Sequence, residues 1–469
     1  MSLTPISFAK LSLAAVMVVL AAGCMDSGTE SSFVYSTRTT DLIEEAQDGV
    51  DGHPGVKQML DDRFGDPQHL RAWQKLPLRF GGTVGEVAEA SEPGAVVKSL
   101  KLSFEDSSAV KQGSVMQLIS TDGTSQTLTI EGWDAETGTA AFASALEHVP
   151  AAGDQVIVDG GQMLASGRGL YMRHCSHCHG TSGDGNGPTA TYLVPRPRDY
   201  RNGIFKFKST ADLNKVSTED LKRVLRLGIP GTYMPSFLLL KDGEIDALAE
   251  YVRFLAMRGE FEQKLTAEFG FSFSESAVEQ SGSSSADVRA ELLQFIQEDL
   301  PESLEFIGDD MAEQWSVADT EDAKIVPEIP RVEDTPESRR RGRELYLSKQ
   351  LNCADCHGIW AEGNGPQSVA FEKNPVSGEL YAEPGLHDIW DNLNQPRNLR
   401  SGIFRGGRRP IDIFARIHSG IPGSRMPSFK TTPHEDIWHV VNYVLSIQHD
   451  VEPGVTGTTA AAEAAAGAE

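Results

Sequence analysis

Two short stretches carry the residue types that could do chemistry: Cys175-Ser176-His177-Cys178-His179 and Cys353-Ala354-Asp355-Cys356-His357. Each reads C-x-x-C-H, the attachment signature of a c-type haem. Two thiols one short turn apart can each bond a haem vinyl group while the adjacent imidazole reaches the iron. The same residues could instead hold zinc, or act as a redox dithiol or disulfide. The residues downstream favour haem: a Gly, then Gly-Asn-Gly-Pro, then, much later, Met-Pro-Ser-Phe, in the same order in both places.

His179 and His357 are therefore the expected proximal ligands, and the sixth ligand must come from elsewhere. Met234 and Met426 are the candidates, each between a Gly-Ile-Pro-Gly turn and an amphipathic stretch. A thioether is a soft donor that favours reduced iron and raises its potential. A Met beside a core helix can also simply fill space, but here it recurs at the same place in both copies. His174, His177, His387 and His418 could replace a Met, although each reads more simply as a surface or core histidine. Of the five cysteines only Cys24 lies outside the two motifs, so no thiol remains for a structural disulfide or an iron thiolate.

The elements that must position these groups repeat as whole units, residues 161–260 and 338–452, an internal duplication of a domain. Gly167-Arg168-Gly169-Leu170-Tyr171 matches Gly342-Arg343-Glu344-Leu345-Tyr346, and Pro197-Arg198 to Phe205 parallels Pro396-Arg397 to Phe404. In the first unit a helix is expected over 167–174 leading into the Cys pair. Another is expected over 218–227, with Ser217 and Asp220 spaced as a capping box. Leu248, Tyr251, Val252 and Leu255 fall at i, i+3, i+4 and i+7 of a closing helix, as do Ile437, Val440, Val441 and Val444 in the second unit. The second copy carries extra residues around 376–394, and its His-to-Met interval is 69 residues against 55.

The remaining segments carry no evident chemistry. Residues 25–79 read as a flexible polar tether through Thr40 followed by one or two short helices, with Val56, Met59 and Leu60 at helical spacing. Over 80–160, β-rich runs at 96–104, 114–120, 127–133, 139–143 and 155–158 alternate with turn formers. They predict a small antiparallel β unit, a partly closed barrel that serves as a spacer. Residues 261–337 read as an acidic linker with one or two helices docked on the haem domains, one of them at 287–299, and an extended approach through Pro327, Pro330 and Pro336. The tail, 453–469, reads as disordered.

The chain begins with a Lys10-bearing start and an apolar run over 11–22, too short to span a bilayer, which together read as a secretory signal. Leu20-Ala21-Ala22-Gly23-Cys24 resembles the lipobox of bacterial lipoproteins, with Ala21 where Leu is usual, and implies a signal over 1–24 ending at an acylated Cys24. The expected location is the periplasmic side of a bacterial membrane, held by lipid. The formal net charge of −25 is unevenly spread: residues 261–337 hold 4 Lys+Arg against 20 Asp+Glu, whereas 161–260 hold 14 against 10. Nucleic acid is an unexpected partner for such a chain.

With these motifs the sequence resembles the class I cytochrome c family, in tandem, over a little under half its length. The resemblance implies a mainly α protein with two helical haem domains, two covalent haem c groups, and electron transfer as the activity. It also implies redox-protein or respiratory-complex partners, as in the dihaem electron-transfer subunits of bacterial respiratory complexes. Iron held by both His and Met has no free position for substrate, so no catalytic residue is expected. The competing expectation is a dihaem redox enzyme, peroxidase-like or thiosulfate-oxidising; a haem-based sensor is a third.

Overall fold

The computed structural model describes residues 32–449 except 41–54, 69, 72, 74, 80–82, 91–95, 105–106, 109, 121–123, 160, 212, 274–281 and 283. The signal, Cys24 and the tail lie outside the described residues. No helix among the described residues is long and apolar enough to cross a membrane.

The chain is mostly helical, with one closed barrel. After α1 (Val56–Phe64), six strands follow: β1 (Thr83–Val87), β2 (Ser99–Phe104), β3 (Val115–Ile119), β4 (Ser125–Asp134), β5 (Thr139–Phe142) and β6 (Gln155–Val158). They close in the order β1-β2-β5-β4-β3-β6, all antiparallel, with β6 returning to β1 through pairs such as Gly85 opposite Val156. Alternate residues point inward, so Leu100, Leu102, Met116, Leu118, Val156 and Val158 are buried in a core separate from those of the haem-motif units. The barrel is thus fully closed rather than partly so, and β1 is a strand beyond the five expected. Its Gly85 has no room for a side chain against Phe104.

In the first unit, α2 (Gln162–His174) runs into the attachment turn α3 (Ser176–His179), and α4 (Thr218–Leu227) precedes α5 (Asp242–Phe273). Ser217 caps α4 by accepting from Asp220 N at 3.2 Å, but the Asp220 carboxylate completes no box; it accepts from Ser209 instead. The helices α2 and α5 cross where Gly167 meets the Ala247 carbonyl and Tyr251, with no space for a Cβ. The second unit repeats this with α8 (Pro336–Leu347), the attachment turn α9 (Cys353–His357), α10 (Pro410–Ser419) and α11 (His434–Ser446). There Gly342 meets the His439 carbonyl and Tyr443.

Two expectations about boundaries are corrected. The helix α5 is 32 residues long and passes straight through the expected boundary at 260, burying Phe261, Leu265, Phe269 and Phe273. On it pack α1, α6 (Ser285–Gln294) and α7 (Leu300–Val317), in one continuous core that includes Met311 and the fully buried Trp315. The helical part of the acidic segment docks on the first unit as a second layer. Nor do residues 33–40 form a free tether. Phe33 is buried, Val34 N donates to Ser182 Oγ at 2.7 Å, Ser36 N to Glu262 Oε1 at 2.7 Å, and Thr39 shares a hydrogen bond with Thr266.

What does link the units is the stretch after α7. Ile325 N donates to Ser209 O of the first unit at 2.9 Å, and Trp438 Nε1 of α11 donates to Ile329 O at 3.1 Å. Arg331 Nε donates to Asn442 Oδ1 at 2.8 Å. The prolines keep this strap extended, as its sequence suggests.

Candidate functional site

The attachment turns are built alike. His179 N donates to Cys175 O and Gly180 N to Ser176 O, so one helical turn sets both thiols and the imidazole on one side. The chain then reverses: Gly185 N donates to His179 O at 2.9 Å, and Gly363 N to His357 O at 2.8 Å. At Gly187 and Gly365 the backbone lies directly against carbonyls of the turn, where a Cβ would collide. This is why Gly-Asn-Gly-Pro comes after each motif. A buried tyrosine from the preceding helix locks each turn from beneath: Tyr171 donates to Gly180 O and Tyr346 to Gly358 O, both at 2.8 Å.

Both histidines are fixed in one tautomer. His179 Nδ1 donates to the Arg198 carbonyl at 3.2 Å and His357 Nδ1 to the Arg397 carbonyl at 3.0 Å. A carbonyl only accepts, so the proton sits on Nδ1 and Nε2 keeps its lone pair for a metal. Burial pushes His179 down to about 4 and lowers His357 as well, which keeps both rings neutral. Burial likewise pushes the Cys175 and Cys353 thiols up to about 12. All four motif cysteines are free of disulfide bonds.

The methionines stand on matching loops. Ile229 N donates to Met234 O at 3.1 Å and Ile421 N to Met426 O at 3.2 Å, closing each turn. Behind them, Ser236 Oγ donates to Arg226 O and Ser428 Oγ to His418 O. Met234 and Met426 both line the cavity that also receives the four cysteines, His179 and His357. That cavity is continuous across the two units. Its volume, 720 Å³, is at the large end of small-molecule sites, about 300–1,000 Å³.

The other histidines divide. His174 and His177 also line the cavity. His387 is buried outside the lining, stacked 3.7 Å from the Tyr381 ring, and His418 stacks on Phe414 with Nδ1 3.0 Å from Ser419 Oγ. Sequence reasoning passes over the cations of the cavity wall. Arg196, Arg198, Lys206, Arg397, Arg405 and Arg425 all line it, and the buried Arg198 Nη1 and Arg405 Nε have no hydrogen-bond partner among the described residues. Burial lowers Arg198 to about 10, opposed by the nearby Asp388 carboxylate. The one available signal is the repeat itself, Pro-Arg at the same place in both copies.

Such a site defines a class: a protein with one apolar cavity to which each of two units offers two thiols, a neutral imidazole and a thioether, with partly buried cations along its wall. These residues fit haem c, whose vinyl groups take the thiols, whose iron takes nitrogen and sulfur, and whose carboxylates suit the unpartnered guanidinium atoms. Residues 164–256 and 340–448 each match the cytochrome c family. The chain carries two cytochrome c domains in tandem, and these imply two covalently bound haem c groups. No curated protein matches the chain at a significant level. A chain of a reducing HAO-like protein complex from Kuenenia stuttgartiensis is similar in structure, with a TM-score of 0.41 and 20% identity over 60% of this chain and 95% of that one.

Proposed function

We propose that this protein is a dihaem electron carrier that passes single electrons between redox partners, as a tethered component of a bacterial respiratory chain. The cytochrome c domains support electron transfer; the tether, the compartment and the circuit are our reading of the sequence. In this reading Cys175, Cys178, Cys353 and Cys356 hold the haems as thioethers, and His179 and His357 are the proximal ligands. Met234 and Met426 are the distal ones, and Cys24 carries a lipid on the periplasmic side of the membrane. Bound haem supplies iron that cycles between its ferrous and ferric states.

The protein's own residues do the rest. The Arg198 and Arg397 carbonyls orient each imidazole and fix its tautomer, burial keeps it neutral, and the methionine loops occupy the position a substrate would need. The apolar walls exclude water, which disfavours the extra charge of the oxidised centre, and the thioether adds to that preference. The observation that carries the reading is that, in each of two equivalent domains, a His with Nε2 free and a Met line the same cavity.

Oxidised protein is expected to contain two haems per chain and to show the weak near-infrared band of Met-ligated haem. The band should halve in Met234→Leu or Met426→Leu and vanish in the double variant. High-spin haem in the unaltered protein, or turnover of peroxide, would overturn the carrier in favour of an enzyme. The anchor is tested separately: the mature chain should begin at Cys24 and partition into detergent.

A further inference from the structure

The two domains meet through a reciprocal exchange of arginines. Arg198 belongs to the loop whose carbonyl holds His179, yet its guanidinium lies over the Trp390 ring of the second domain, 3.8 Å from the centroid. It reaches the methionine loop there: a Cβ built on Gly423 would lie 3.3 Å from Arg198 Nη1 and 2.6 Å from Trp390. Arg397 does the same in the opposite direction. Its carbonyl holds His357, while a Cβ built on Gly231, three residues before Met234, would lie 2.5 Å from Arg397 Nη2. Both glycines are in the left-handed region, with φ +73°, so each loop is shaped by its glycine and pressed by the other domain's arginine.

The extra residues of the second copy secure the contact. Asp388 pairs with Lys206 of the first domain at 3.5 Å, and Trp390 provides the surface on which Arg198 lies. Ile389 N, between them, donates to Gly423 O at 3.2 Å, tying the insertion to the second methionine loop. Phe207 of the first domain fills the space at Gly406 of the second. Nothing of this kind is needed to hold two independent carriers on one string.

We propose that Arg198 and Arg397 are crossed positioning residues: each orients the proximal histidine of its own domain through its carbonyl and braces the methionine loop of the other through its side chain. The ligand field of one haem is thereby set partly by the other domain, and the two irons do not titrate as independent centres. Each arginine contacts both sites and so offers a physical route for the coupling, which the redox titration decides. The proposal rests on methionine ligation as read above.

The test uses the full-length haem-loaded protein and the strongly shifted methionine methyl signals of its reduced form in proton NMR, assigned with Met234→Leu and Met426→Leu. Arg397→Leu is expected to shift the Met234 signal more than that of Met426, and Arg198→Leu and Trp390→Ala to shift that of Met426 more. In a redox titration, both arginine variants should move both apparent potentials. Should a leucine variant fail to load haem, Arg198→Lys and Arg397→Lys decide the matter, because the shorter, non-planar head keeps the charge and loses the reach. Shifts confined to the domain that carries the substitution, or no shift in either, overturn the brace. Unaltered protein without two such methyl signals would instead overturn the ligation on which it rests.

Discussion

The two cytochrome c domains share a core and differ in its surroundings. In the second, the closing helix α11 is 13 residues long and, beyond the shared helices, carries the strap. In the first, α5 is 32 residues long, and its far half is clothed by residues 33–40, α1, α6 and α7. The second domain is elaborated at the opposite pole, where the insertion grips its neighbour. A duplicated haem core thus tolerates additions after its closing helix and, in the second copy, between attachment turn and methionine loop, while the turn, the crossing glycine and the methionine loop keep their local geometry.

Five substitutions, in three sets, would sharpen or break that contrast. The largest effect is expected from Trp315→Ala. This side chain is fully buried under α5 and donates from Nε1 to Glu260 Oε2 at 3.0 Å. Its loss should cost about 3–5 kcal/mol, and urea unfolding with limited proteolysis should show the first half of the chain opening while the second stays closed. Simultaneous opening of both halves would mean the second layer serves the whole molecule.

Next come Gly167→Ala and Gly342→Ala, at the two helix crossings. Each new methyl meets a backbone carbonyl, of Ala247 or His439, so each should destabilise by roughly 1–3 kcal/mol. Equal losses by thermal unfolding would establish that the crossing is common to both domains; a tolerated Gly167→Ala would show that the long helix can shift. The smallest and most unequal pair is Tyr346→Phe and Tyr171→Phe. The first removes one hydrogen bond, about 1 kcal/mol. The second also strands the Tyr200 hydroxyl, which bonds Tyr171 at 2.8 Å, so its melting temperature should fall further, by up to about 3 kcal/mol of stability.

The haem-facing groups are legible in the sequence because their chemistry forces spacing. C-x-x-C-H, the glycines after it and Met-Pro-Ser-Phe are local, and they occur twice. The helix over 218–227 is equally local, with a serine cap and a glycine stop. The far half of α5 is hidden because its stripe is interrupted by charge. Arg258 is paired there with Glu262, both nearly inaccessible to water. A sequence pattern counts such residues as exposed, and only the fold supplies partners that make their burial tolerable. Strand β1 escapes a sequence reading for a different reason, being five residues with a glycine in the middle. The seam has no local signal at all, since Arg198 and Trp390 are 192 positions apart in the chain.

The long helix also bears on where this molecule can be divided. The first cytochrome c match ends at residue 256, inside α5. A fragment cut there would keep its haem motif but lose Phe261, Leu265 and Phe269, leaving α1 and residues 33–40 only part of the apolar surface they pack on. The module that evolution copied and the module that can stand alone are therefore different lengths. In the first half of this protein the packed unit runs past α7, where Thr218 N donates to Asp319 Oδ1 and Ile325 N to Ser209 O, while the closing helix of the second copy is short.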